Sequence, residues 1–167
     1  MTTKPDHTDD LRRIRDALAA VTDPEIPVVS VVDLGLIDGV RLEAGRVTVR
    51  MLPTFVGCPA LDVMRREIES AVRGAGFDEV AVEVAFDPPW TSERISPAGR
   101  EKLRRFGVAP PHGPNRADIE SNFHRVACPN CGSRDTRLES VFGPTLCRAI
   151  HYCDSCRQSF EHFKPVG

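Results

Sequence analysis

The sequence predicts an α+β fold. A small domain of helices packs on a short mixed or antiparallel sheet in the order α-β-β-α-β-α, and a zinc ribbon follows. Three observations predict it. Apolar residues recur at helical spacing from Leu11 to Val21 and from Leu61 to Val72. Alternating runs at Leu36–Leu42, Val47–Met51 and Val80–Phe86 have the period of strands. Two C-x-x-C pairs, Cys128/Cys131 and Cys153/Cys156, stand near the C-terminal end. The expected divisions are 9–107 for the first domain, 108–125 for a Pro-rich linker and 126–165 for the ribbon.

The elements follow in order. Leu11, Ile14, Leu18 and Val21 give the apolar face of a first helix, with Asp9 and Asp10 at its start. Thr22-Asp23-Pro24-Glu25-Ile26-Pro27 ends it, because two prolines in four residues force extended backbone. Val28 to Gly35 reads as a loop or short helical turn packed on the core. Two strands then flank the turn Glu43-Ala44-Gly45-Arg46, a link short enough for an antiparallel hairpin. After Cys58-Pro59, the residues Leu61, Met64, Ile68, Ala71 and Val72 define a second helix closed by Gly74 and Gly76. Val80, Val82, Val84 and Phe86 form a third strand, and Asp87-Pro88-Pro89-Trp90 breaks the sheet. Ser96-Pro97 opens a last helix as cap and first residue, with Leu103 and Phe106 on its apolar face and Gly107 at its end.

Composition narrows the function classes. The chain has 167 residues, 41% apolar and 28% charged, enough for a modest core. Its net charge is −2, so no broad basic surface is implied and nucleic-acid binding ranks last. No apolar run is long enough to span a membrane, and the N-terminal residues lack the apolar segment of a secretory signal. The expected compartment is the cytoplasm. There is no Ser-His-Asp pattern, phosphate loop or dinucleotide fingerprint, so an enzyme is not expected. His7, His112 and His124 read as solvated surface residues of tail and linker.

Of six cysteines, five follow residue 127, and four of those fall into the two tight pairs. In a reducing compartment this grouping favours metal over disulfide. Each knuckle places two thiolates on one side of a turn, and two knuckles complete a tetrahedral sulfur cage for structural Zn²⁺. Thr136 to Phe142, Leu146 to Tyr152 and Ser159 to Phe163 are the ribbon strands. Iron fits the same cage, but Arg157 stands where a rubredoxin-like knuckle carries glycine, so zinc is the expected metal. His151 and His162 read as surface or strand histidines rather than ligands, since four thiolates close the site. Cys147 has two readings: a small apolar residue of the ribbon core, or a free thiol.

Cys58 stands alone at a strand-to-helix junction, in Thr54-Phe55-Val56-Gly57-Cys58-Pro59. Unpaired N–H groups at the helix start favour a thiolate there, and Pro59 suits the first helical position. Position leaves two readings open, a functional thiolate or a buried core cysteine.

These residues resemble a known family. Asp23-Pro24-Glu25-Ile26-Pro27, Val32-Asp33-Leu34-Gly35 and Pro53-Thr54 with Gly57-Cys58-Pro59-Ala60 resemble the SufT-like domain of iron–sulfur assembly factors. Trp90-Thr91, Ile95-Ser96, Gly99-Arg100, Lys102-Leu103 and Gly107 to Pro111 resemble the PaaD-type component of bacterial phenylacetyl-CoA epoxidase systems. So do Cys128 to Ser133, Phe142-Gly143-Pro144-Thr145-Leu146-Cys147 and Phe160 to Lys164. Phe55-Val56 departs from the Tyr-Ser expected beside the family's cysteine.

The resemblance implies an accessory role in aerobic phenylacetate breakdown. In that pathway an oxygenase and a reductase epoxidise the ring of phenylacetyl-CoA, and the PaaD-type component helps deliver iron or iron–sulfur clusters to them. It implies that Cys58 is the transfer residue, with Asp23, Glu25 and Thr54 as further candidates. One cysteine cannot cage a cluster alone, so a homodimer or a client's cysteines would supply the rest. The alternative is a scaffold that binds the oxygenase and reductase subunits without metal transfer, with Trp90, Phe106 and Phe123 as core or interface residues.

Overall fold

The computed structural model describes residues 7–111 and 126–165. The first module runs α1 (His7–Ala20), β1 (Ile37–Glu43), β2 (Arg46–Met51), α2 (Leu61–Gly74), β3 (Glu79–Val84) and α3 (Pro97–Phe106), with a 3₁₀ turn at Ser92–Arg94. This is the expected α-β-β-α-β-α order. β1 and β2 form the hairpin, with Glu43 opposite Arg46. The two loop residues, Ala44 and Gly45, both have positive φ, as the tight hairpin turn requires. β2 pairs with β3 in parallel, Arg46 opposite Glu79 through Met51 opposite Val84, so β2-α2-β3 is a crossover unit and the sheet is mixed.

β2 is central, and its Val47, Val49 and Met51 are fully buried. α1 covers them with Ile14 and Leu18, and α2 with Met64, Ile68 and Val72, the faces that helical spacing assigned. Each such side chain contributes about 1.5–3 kcal/mol on burial. Two apolar residues depart from expectation. Phe86 lies beyond the end of β3 and is exposed, because the chain leaves the sheet before reaching it. Phe106, in the last turn of α3, is also exposed, while Leu103 carries the buried contact.

The Val28–Gly35 segment is a series of turns that docks α3. The Asp33 carboxylate accepts hydrogen bonds from the Ser30 N–H (2.9 Å) and from Lys102 Nζ (2.6 Å). Trp90 Nε1 donates to the Leu34 carbonyl (2.9 Å), and Arg94 Nε to that of Gly35 (2.9 Å). Ser96 caps α3 by accepting from the Gly99 N–H (2.9 Å), and Gly107 ends it in the left-handed region.

The second module is a sheet in the order β4-β7-β6-β5, built from β4 (Val108–Ala109), β5 (Thr136–Ser140), β6 (Arg148–Cys153) and β7 (Gln158–Phe163). β5, β6 and β7 form the expected antiparallel ribbon. β4 corrects the linker expected over 108–125. Gly107 redirects the chain so that buried Val108 and Ala109 pair in parallel with Glu161 and His162 of β7. The Pro-rich stretch from His112, with Phe123 and His124, lies outside the described residues.

The ribbon rests on the first module. Phe163 joins the main core and lies 6.0 Å from Trp90, ring centre to ring centre. No helix among the described residues is long and apolar enough to cross a membrane.

Candidate functional site

Two sulfur centres differ in build. The first is the four-cysteine cluster. Gly132, at positive φ, donates its N–H to the Cys128 carbonyl (2.9 Å) and closes the first knuckle. Arg157 takes the same left-handed conformation in the second, donating to the Cys153 carbonyl (2.8 Å), so the glycine missing there is replaced in geometry by arginine. The four Sγ atoms lie within 4.8 Å of one another, with Cys128–Cys156 at 3.7 Å and Cys131–Cys153 at 3.6 Å. A tetrahedral thiolate cage with metal–sulfur bonds of about 2.3 Å has sulfur–sulfur edges of about 3.8 Å. The donor set therefore fits one metal ion closely. In the metal-free cluster the thiols are split: the Cys156 N–H holds the Cys153 thiol down to about 7, while burial pushes Cys156 up to about 12.

His151 and His162 are fully buried in the ribbon rather than at its surface. Their rings meet edge to face, with centres 5.0 Å apart, and His151 stacks on Phe160.

The second centre is a small pocket between the modules. It is lined by Asp23, Glu25, Thr54, Phe55, Cys58, Pro59, Leu146, Cys147 and Phe163. The chain positions each donor by local geometry. Asp23 Oδ1 accepts the N–H groups of Glu25 (2.7 Å) and Ile26 (3.0 Å), which fixes the turn that presents Glu25. Gly57, at positive φ, turns the loop into Cys58. The Cys58 carbonyl then accepts from the Leu61 N–H (3.2 Å). The helix cap is Ala60, so Pro59 lies in the preceding turn rather than at the first helical position.

The electrostatics oppose a free thiolate at Cys58. Burial pushes the Cys58 thiol up, and the Glu25 and Asp23 carboxylates push it further. The N–H groups of Ala60 and Leu61 oppose this but do not prevail. Burial also raises Glu25, with Asp23 adding to it. In metal-free protein, then, Cys58 is protonated near neutral pH and is a weak nucleophile.

Cys147 lies outside the ribbon's own core cluster. It is half-buried and packs against the core of the first module, in the same pocket as Cys58. Its Sγ is 3.1 Å from Thr145 Oγ1, which also accepts from Arg148 Nε (2.8 Å). Arg148 pairs in turn with Glu161 (2.5 Å). Gly143 makes this loop possible, because a Cβ there would come within 2.7 Å of the Arg148 carbonyl oxygen.

The structure thus brings Asp23, Glu25, Thr54, Cys58 and Cys147 to one pocket and the four ribbon cysteines to another. Sequence reasoning did not single out Thr145 and Arg148, which position Cys147 from beside the pocket. Arg148 is a charged residue, yet it is buried. The signal was the Gly143-Pro144 turn, which had to face something.

Comparisons with known proteins agree on both modules. Residues 11–84 match the family described as "Iron-sulfur cluster assembly protein", and residues 113–164 match "PaaD zinc beta ribbon domain". A protein of Escherichia coli (strain K12), named as one of the subunits of 1,2-phenylacetyl-CoA epoxidase, is 39% identical over 89% of this chain and 89% of its own length. An Fe-S protein maturation auxiliary factor of Porphyromonas gingivalis is 41% identical over 47% of this chain and 76% of its own. A solved structure from Bacillus anthracis, described as a domain of unknown function DUF59, superposes with a TM-score of 0.53 at 27% identity, covering 57% of this chain and 92% of that one. The first module therefore has the DUF59 fold and the second is a zinc ribbon. With both modules present in the same order, the chain belongs to the PaaD-like family of phenylacetyl-CoA epoxidase proteins.

Proposed function

We propose that this protein is an accessory maturation component of a phenylacetyl-CoA epoxidase. It carries iron, alone or within an iron–sulfur cluster, on Cys58 and delivers it to the oxygenase and reductase components in the cytoplasm. The kinship with the Escherichia coli epoxidase protein and with Fe-S maturation auxiliary factors supports the client and the cargo. The carrying observation is the Cys58 pocket itself, a half-buried thiol flanked by Glu25 and Asp23. A protonated thiol is poorly suited to covalent catalysis, which favours an accessory role over an enzymatic one. The carboxylates that oppose a free thiolate also attract a cation, and a bound cation replaces the thiol proton. Few ligands in a pocket open to a partner suit a cargo that must leave.

The four ribbon cysteines are assigned the opposite task. They hold Zn²⁺ permanently, because a second module of roughly forty residues buries too little apolar surface to fold without a staple.

The test is anaerobic Fe²⁺ uptake by the zinc-loaded protein, followed by metal analysis and visible spectroscopy. Wild type is expected to bind iron beyond its zinc, and Cys58→Ser to bind it on the order of tenfold or more weakly with zinc unchanged. Equal uptake by both proteins, or none by wild type, would contradict the assignment.

A further inference from the structure

We propose that Cys147 is the second sulfur ligand of the transferred metal. The cargo site is then a single-ion site straddling the two modules, with Cys58 and Cys147 as thiolates and Glu25 as the oxygen ligand. This rests on the reading of Cys58 as a metal ligand and extends it.

Four observations carry it. Cys147 belongs to the ribbon chain, yet its side chain packs on the first module and lines the Cys58 pocket. It stands apart from the four thiols gathered for the permanent ion. Asp23 and Glu25 both line the pocket, but Asp23 has one carboxylate oxygen committed to two backbone N–H groups, so Glu25 is the more available oxygen donor. Thr145 Oγ1 lies 3.1 Å from the Cys147 sulfur and also accepts from Arg148 Nε (2.8 Å), so one hydroxyl positions that sulfur at the pocket.

The donor set decides the ligand class. Two thiolates and a carboxylate suit a borderline divalent cation such as Fe²⁺, and they disfavour Mg²⁺ or Ca²⁺, which need oxygen donors. Arg148 stays nearby, but its charge is shared with Glu161. On binding, two metal–sulfur bonds form, the Cys58 and Cys147 thiols each release one proton to solvent, and no electron moves. The arrangement makes the ribbon part of the cargo site. Zinc shapes the strands that hold Cys147 in reach.

The experiment uses the zinc-loaded full chain. Fe²⁺ is titrated anaerobically, the protein is alkylated with iodoacetamide at each step, and Cys58 and Cys147 are quantified by peptide mass spectrometry. Fe²⁺ is expected to protect both thiols over the same concentration range. Cys147→Ser should weaken Fe²⁺ binding on the order of tenfold or more, as Cys58→Ser does. Protection of Cys58 with unchanged alkylation of Cys147 overturns the shared site and leaves Cys58 as a carrier. Protection of neither overturns both readings. If Cys147→Ser fails to retain zinc or fold, the wild-type protection pattern decides alone.

Discussion

At Cys58 the N–H groups of Ala60 and Leu61 pull the thiol toward ionisation, while burial and the Glu25 and Asp23 carboxylates push it the other way. Helix-start donors alone give a low thiol pKa. The rest of the pocket reverses the sign. Removing a negative neighbour stabilises a thiolate, so Glu25→Gln should lower the Cys58 pKa. The check is the pH dependence of Cys58 alkylation in iron-free protein. Its midpoint should lie above the ordinary value of about 8.5 and fall in Glu25→Gln. A midpoint that stays or rises in the variant would show that Glu25 does not face the thiol. The position of Cys58 was legible as a cysteine between a strand and a helix. Its protonation was not, because Leu146 and Phe163 line its pocket from more than eighty residues away in sequence.

α3 and the turns from Val28 to Gly35 form one mechanical unit. The Ser96 N–H donates to the Asp33 carbonyl (2.9 Å), Lys102 reaches the Asp33 carboxylate, and Gly99 lies directly over Asp33. A Cβ at Gly99 would come within 2.6 Å of the Asp33 carbonyl oxygen, which is backbone and cannot rotate away. Gly99→Ala should therefore destabilise the fold by about 1–3 kcal/mol in chemical denaturation, despite alanine's better helix propensity. An unchanged or raised midpoint would mean that α3 does not dock in this way. The cap Ser96, the proline after it and the glycine stop were legible, since each is a local signal. The parallel β2–β3 pairing was not specified, because alternation marks a strand but not its neighbour's direction. β4 was invisible: two residues between a helix-ending glycine and two prolines carry no period.

Across the whole molecule, each module was readable from its own pattern, but their docking was not. The contact rests on side chains distant in sequence: Trp90 against Phe163, Cys147 against the first core, and β4 joined to β7. Those contacts bring the Cys58 thiol and the four-cysteine ribbon into one surface with a pocket at the seam. They also explain why the family motifs on both sides face each other. Cys58 and Pro59 of one motif and Leu146 and Cys147 of the other line that pocket together. The proposed transfer predicts an effect on the client's iron that a scaffold holding epoxidase subunits together would not. Transfer therefore has to be read on the client. In cells expressing the epoxidase with wild type or Cys58→Ser, the oxygenase is purified anaerobically and its iron measured per protein. With Cys58→Ser the oxygenase should be folded and assembled but deficient in iron, with epoxidase activity falling in proportion. Full iron content and full activity beside Cys58→Ser would contradict delivery through Cys58.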